Sequence, residues 1–395
     1  MNKKEQFEIK IIRSLQEIEE IRSFWEKFNH HPNTDIDHYL TVLHSMNNVI
    51  CPYIILFSVN GHPEAMAVGR LEKRNMDISF GYMTFYKTKV ICITILYAGL
   101  LGNWSNDLYI TLVKQLMNGI RQKDADIVWF NSLHIKSDLN NFARKLPNFF
   151  CRDHVIGNNL HWKMTLPDSV DAYLKKMTAK HRYWLNRLPR VLQKDYPGKI
   201  EYKVFQNNEN LEQLFADAER VAKTSYQRNI GTGFADNIMM RQRLIHHAKK
   251  GQMRAYLLYI NKTPCAFWIG TLYRNIFYLD FTSYDVTYKR YELGTILFIK
   301  MIEDITKSKA TEIDFGFGDA FYKQRFGDQH WTESSVYIYA PTIKGLLLNT
   351  TRTISLVPYR YLLRLAERNN ILQKIKKIWR DNLASSKNNN NKNPG

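Results

Sequence analysis

Two stretches of this chain, ILFSVNGHPEAMAVGRL ending at Leu71 and YLLYINKTPCAFWIGTL ending at Leu272, carry one pattern twice. Asn60/Asn261, Pro63/Pro264, Ala65/Ala266, Gly69/Gly270 and Leu71/Leu272 coincide at a constant offset of 201 residues. Each copy reads as strand, tight turn, strand. In the first, Asn60-Gly61 supplies the positive φ angles that a two-residue hairpin turn demands, and apolar alternation flanks both turns. Behind each hairpin comes a helix-patterned segment and then an apolar strand: Leu108 to Lys123 leads into DIVWF, and Leu293 to Ser308 leads into EIDFG. Four elements in the same order twice over predict a tandem duplication of one α/β unit. At 395 residues the chain is long enough for two cores.

The boundary is expected near Pro167, giving an N-terminal domain over 1–166 and a C-terminal one over 167–341. Asp168 or Ser169 is placed to cap the helix that follows, because a short polar side chain accepts from first-turn N–H groups. Along that helix Tyr173, Met177, Trp184 and Leu188 form an apolar stripe among lysines and arginines, and Pro189 is expected to end or kink it. Residues 342–384 read as a basic amphipathic helical extension, suited to packing on the second domain or to resting on an anionic membrane. The tail over 385–395 is low-complexity and expected to be disordered.

Lysine and arginine exceed aspartate and glutamate to give +19, which favours an anionic partner: nucleic acid, anionic lipid or a phosphorylated cofactor. Cys51, Cys92, Cys151 and Cys265 stand far apart, without paired zinc spacing, and read as reduced thiols of a cytosolic protein. No apolar stretch of signal-peptide type follows Met1 to Lys10. The longest apolar run, Val90 to Leu101, is too short to span a bilayer of roughly 30 Å and reads as buried strand. No metal is expected: His246 and His247 are adjacent on a helix and diverge with no third ligand spaced nearby, and His30 and His31 fail the same test.

The run IDFGFGDAFYKQRFG, Ile313 to Gly327, sets three glycines among aromatics and charges. It has neither the dinucleotide spacing nor the Gly-Lys-Ser/Thr ending of a P-loop. Asp314-Phe315-Gly316 imitates a kinase signature without its companion motifs. Upstream, NIFYLDFTSYD, VTYKRYELGT and LFIKMIEDITKS run as strand, short loop and helix. That order suits a pyrophosphate, since the helix dipole and its unpaired amides both favour negative charge at the helix entrance.

Tyr284-Asp285, Tyr288, Tyr291, Gly294 and Leu297, followed by Asp314, Phe315, Gly316, Gly318, Asp319, Tyr322, Lys323, Phe326 and Gly327, carry a family likeness. The segment resembles the GCN5-related N-acetyltransferase (GNAT) superfamily, and within it the CelD-like branch of double-GNAT proteins linked to envelope polysaccharide synthesis. That branch shows YDxxYxxYSPGxxL followed by FDFGxGDxxYKxxFG. Glu292-Leu293 stands here where the family has Ser-Pro. The likeness covers Leu166 to Ala340, and the first copy through its hairpin and element order.

The resemblance implies an α/β (α+β) fold of two tandem GNAT-like units, each a mixed, mostly antiparallel sheet flanked by helices, with the first degenerate and the second binding acyl-CoA. It implies acetyl-CoA or another acyl-CoA as co-substrate, held by Lys289, Arg290, Tyr291, Leu293, Gly294, Thr295 and Lys323, and Tyr322 as the acid that protonates the departing thiolate. Asp280, on the strand beside the cofactor, and Asp319, at the start of the Tyr322 helix, are candidates for the base. The expected activity is N- or O-acyl transfer to a sugar or cell-envelope polysaccharide precursor, in the cytoplasm, with peripheral contact to anionic membrane through the basic C-terminal helices. Nucleic acid is not an expected partner. The alternatives are a Fem-type transferase drawing its acyl group from charged tRNA, which also resembles this two-unit architecture, and a non-catalytic GNAT-like binding protein.

Overall fold

In a computed structural model of the chain, the described residues are 7–80, 83–157, 159–225 and 233–368. Among the described residues twelve strands are interspersed with helices: β1 Glu8–Ile12, β2 Val49–Val59, β3 His62–Phe80, β4 Met83–Gly102, β5 Ile127–His134, β6 Asn159–Thr165, β7 Ile200–Phe205, β8 Met253–Ile260, β9 Thr263–Tyr273, β10 Ile276–Tyr284, β11 Glu312–Phe317 and β12 Gln329–Tyr339. They make a mixed α/β fold. The chain divides into two compact units, Met1–Val68 with Leu96–Asn103 and Asn158–Ser334, and Gly69–Ile95 with Trp104–Gly157 and Ser335–Gly395.

In the first unit both repeated hairpins form. Their turns carry positive φ at Asn60 (51°) and Gly61 (75°), and at Asn261 (51°) and Lys262 (61°), so the second copy uses a lysine where the first uses glycine. β7, β8, β9 and β10 pair antiparallel in sequence order. β11 then pairs parallel to β10, and the crossover is the turn Val286–Tyr291 followed by the helix Leu293–Ile305. β6 pairs antiparallel with β11 on one side and with the first residues of β12 on the other.

β8 and β9 are apolar almost throughout because both faces are covered. One face, with Tyr256, Leu258, Ile260, Ala266 and Trp268, packs on Leu293, Ile296, Leu297, Phe298, Met301, Ile302 and Ile305, and on Leu188 and Leu192. The other, with Ala255, Leu257, Tyr259, Phe267 and Ile269, packs on Leu214, Phe215, Ala218, Val221 and Leu244. Burial of side chains this size is worth about 1.5–3 kcal/mol each, so the sheet is rigid where it meets the site described below.

The helix after Pro167 comes in two pieces. Ser169 caps Val170–Lys175, accepting from the Ala172 N–H at 3.1 Å, and Thr178 caps Ala179–Asp195. Pro189 lies inside the second piece and does not end it. Leu185, Leu188 and Leu192 are buried on its inner face, and their packing outweighs the one backbone hydrogen bond that proline forfeits.

In the second unit Cys92–Ile95 of β4 pairs parallel with Ile127–Phe130 of β5. The helix Asn106–Arg121 between them is capped by Ser105 and buries Leu108, Leu112, Val113, Leu116 and Ile120. The run from Val90 therefore forms strand, as its composition predicts. Glu72, 1% exposed, is held by Arg70, Arg74 and Thr94. The helix Ile343–Arg368 closes the described chain. The remainder of the basic extension and the tail over 385–395 lie outside the described residues. Among the described residues no helix is long and apolar enough to cross a membrane.

Candidate active site

β10 and β11 pair for only three residues, Ile276–Tyr278 against Glu312–Asp314. Both strands then break register with their outer neighbours, β10 between Leu279 and Phe281 and β11 between Asp314 and Gly316. Bulges bend a strand and re-aim its side chains. Between the parted strands lies a cavity of about 420 Å³, lined by Leu279 to Thr282 on one side and Asp314 to Phe317 on the other. Gly316 (φ 66°) and Gly318 (φ 101°) adopt backbone conformations that side chains resist, and they let the chain leave the sheet at this point. Tyr322, on the short helix Phe321–Phe326, lines the same cavity, with His31, Tyr97, His161, Arg243 and Lys323.

At the floor of the cavity, His161 of β6 sits between two carboxylates. Its Nε2 lies 2.7 Å from Asp314 Oδ1, and its Nδ1 lies 3.6 Å from Glu333 Oε1 and 3.4 Å from the Tyr97 hydroxyl. Burial pulls the Asp314 carboxyl up, but the hydrogen bond and charge of His161, the Gly316 N–H and the charge of Lys163 together outweigh it and hold the group below its ordinary value. An ionised Asp314 accepts, so His161 Nε2 carries a proton. Trp331 stacks on the imidazole at 4.4 Å and donates to Glu333 at 2.6 Å, which fixes both side chains. Burial pushes the Glu333 carboxyl up, and its Oε2 is buried without a hydrogen-bond partner. Burial likewise drives the Tyr97 phenol far above its ordinary value, so it stays protonated.

Lys323 is 6% exposed and donates to the Phe317 carbonyl. Burial lowers its ammonium from 10.5 to about 8 against the opposing pull of Asp314. Tyr322 stands edge-on to Trp268 at 5.3 Å and to Phe315 at 6.1 Å. His31 is held neutral by burial, at about 3, and its Nδ1 accepts from the Asn33 N–H at 3.0 Å. The proton of that neutral ring is therefore on Nε2, where it can be donated. Asp280 is the extra residue of the β10 bulge; both its oxygens are engaged, by the Arg243 guanidinium and by Thr271 at 3.1 Å. Asp319 is exposed, bonded to Gln324, and does not line the cavity.

The loop expected to hold acyl-CoA does not line this cavity either; it forms the helix entrance behind β10. Glu292 turns the chain into the helix with φ 51°, and the Thr295 and Ile296 N–H groups bond its carbonyl. Its carboxylate meets Arg325 at 2.7 Å, which leaves the entrance without a naked negative charge. Tyr291 and Leu293 are core residues, 2% and 0% exposed, so only their backbone is offered to a ligand. Lys289 and Arg290 are exposed, and Arg290 pairs with Asp195 at 3.0 Å. A Cβ built on Gly294 would meet no atom within 4 Å, so space lies open over the first turn.

Thus Tyr322, Lys323 and Asp280 come together at one cavity, Lys289 to Thr295 form a separate helix entrance, and Asp319 stands apart. His161, Glu333, Tyr97 and Arg243 were not singled out from the sequence, and His31 was weighed there only as a metal ligand and set aside. Each is a lone residue on its own segment, and the pairing of β6 with β12 that brings His161 and Glu333 together leaves no spacing to read. Asp314 lay inside the family motif without an assigned role.

Residues 179–324 match the family described as "Acetyltransferase (GNAT) domain". No curated protein matches the chain in sequence. Among solved structures the chain is similar to FemX, with a TM-score of 0.56 at 9% identity over 84% of this chain and 97% of that one. It is also similar to a tandem GNAT protein from the clavulanic acid biosynthesis pathway (0.48, 10%, 85% and 99%) and to L-PGS from Bacillus licheniformis (0.48, 13%, 85% and 95%). The FemX likeness concerns the fold alone. The domain match gives the class: the protein is an acyltransferase whose residues 179–324 match a GNAT acetyltransferase domain.

Proposed function

We propose that the protein transfers an acyl group from acyl-CoA to an amine or hydroxyl of a sugar or cell-envelope polysaccharide precursor. The observation that carries the acyl-transfer chemistry is the Asp314–His161 pair at 2.7 Å on the floor of a cavity that Tyr322 also lines. The pyrophosphate would lie over the helix entrance at Gly294, where first-turn N–H groups and the helix dipole favour an anion. The thioester would then reach the gap between β10 and β11. His161 Nδ1, with the Tyr97 hydroxyl as relay, takes the proton of the incoming N–H or O–H, and Asp314 stabilises the imidazolium. The new bond to the thioester carbon forms, the His31 Nε2–H donates to the developing oxyanion, and the C–S bond breaks. The departing thiolate takes its proton from Tyr322. Asp280 holds Arg243 at the wall, where the guanidinium is placed to orient a polar acceptor.

His31 and Tyr97 belong to residues 1–166, which supports a division in which the first of two tandem domains shapes the acceptor site and the second, over 167–341, holds the cofactor. Cysteines present as thiols at Cys92, Cys151 and Cys265, with the use of acyl-CoA, suit a cytoplasmic enzyme. Exposed Ile343, Leu347, Ile354 and Tyr361 recur at helical spacing on the last helix and support its contact with an anionic membrane surface. The test is direct. Calorimetry should show one CoA bound per chain, and an acceptor panel of amino sugars and sugar alcohols with acetyl-CoA should release free thiol. Binding of charged tRNA with no CoA binding would replace this reading with an aminoacyl-transfer one.

A further inference from the structure

Away from the cavity, the helices Ile36–Ser45 and Ile238–Lys249 bring three histidines together. One ring nitrogen from each of His38, His246 and His247 lies within 4.8 Å of one from each of the others. The His38 and His247 rings stack at 4.8 Å, and His246 stands edge-on to His247 at 5.3 Å. His38 Nδ1, His246 Nε2 and His247 Nε2 are all buried without a hydrogen-bond partner. Spacing along the chain shows only the diverging pair His246 and His247; the third member arrives from a helix about 200 residues away.

For His246 and His247 the hydrogen bonds fix which nitrogen is the lone pair. Gln252 Oε1 is an acceptor 3.0 Å from His247 Nδ1, so that nitrogen carries the proton and Nε2 does not. Thr41 Oγ1 donates to the Asp37 carbonyl at 2.8 Å, and it is thereby left to accept from His246 Nδ1 at 3.1 Å. Both outer nitrogens are thus protonated and bonded, and both Nε2 lone pairs face inward, as in histidines oriented for a metal. Asp35 Oδ1 stands 3.9 Å from His246 Nε2 as a nearby anion. The closest cations are already paired, Lys250 with Asp35 and Asp37 and Arg243 with Asp280.

We propose that His38, His246 and His247 form a binding site for a divalent transition-metal ion of the zinc class, which pins these two helices together. Three buried imidazole nitrogens without hydrogen-bond partners are costly, and one cation satisfies all three at once. A tetrahedral zinc with ligands at about 2.0–2.1 Å needs nitrogens about 3.3 Å apart, so the rings must close by up to about 1.5 Å from the observed limit. Small side-chain rotations supply that.

The full chain, stripped with a chelator and dialysed against zinc chloride, should take up one zinc per chain by mass spectrometry of the metal and melt at a higher temperature than the stripped form. Cobalt(II) should give the visible bands of a tetrahedral nitrogen site. His246→Ala, whose ring is the least buried of the three, should remain folded by circular dichroism and lose the zinc, the bands and the thermal shift; His38→Ala and His247→Ala should do the same wherever they fold. Wild-type protein that takes up no stoichiometric zinc, or a His246→Ala variant that still does, overturns the site.

Discussion

Replacing Asp314 with asparagine tests the proposed chemistry at its centre. The asparagine oxygen can still accept from His161 and from the Gly316 N–H, which now reach Oδ1 at 2.7 and 2.8 Å, so the geometry is kept and only the charge is lost. With an effective dielectric constant near 20, an imidazolium and a carboxylate at the observed 2.7 Å attract by about 6 kcal/mol. On the proposed route the imidazolium forms as the acceptor gives up its proton, which places most of that attraction in the transition state. Glu333, at 3.6 Å from the other ring nitrogen, retains part of the stabilisation. A net loss of about 3–5 kcal/mol follows, or a fall in kcat of about 10²-fold to 10⁴-fold with KM for acyl-CoA little changed. His161→Gln should cost as much, and the double variant no more than either, because the pair acts as one unit. The assay is steady-state thiol release with the acceptor found in the panel, alongside melting temperature. If Asp314→Asn turns over within about threefold of wild type, or if the two losses simply multiply, His161 is not the base and the pair is structural.

Tyr322→Phe should lower kcat by roughly 10²-fold to 10⁴-fold with CoA affinity unchanged; a lower melting point with kcat held, from loss of about 1 kcal/mol of hydrogen bonding, would make it a packing residue. Gly294→Glu should remain folded, since its Cβ meets nothing within 4 Å, yet abolish measurable CoA binding by placing a carboxylate over the first turn; undiminished affinity by calorimetry would move the cofactor elsewhere. Lys323, lowered to about 8, binds fewer protons folded than unfolded between about pH 8 and 10.5, so its cost is present below pH 8 and relieved as pH rises through that window. Wild type should therefore gain stability over that range relative to Lys323→Met, and parallel denaturation curves at the two pH values would refute the shift.

The sequence by itself determined the repeated hairpins, because positive φ at Asn60-Gly61 and its echo at Asn261 are local demands met by local residues. It also determined the apolar strands and the helix from Leu293, whose periodicity records what each face must bury, and it carried the motif that placed Tyr322 and Lys323 at the end of β11. Pro189 shows the limit of such reading: a local helix breaker is overridden by the buried leucines around it, and that packing is a tertiary fact. The centre of the site was hidden for the same reason. His161 acquires its meaning only because β6 inserts between β11 and β12, setting one imidazole against Asp314 and Glu333 from two other strands. Strand pairing has no signature in the spacing of single residues, and burial, which decides the protonation of Lys323, Tyr97 and Glu333, exists only once distant segments have packed together.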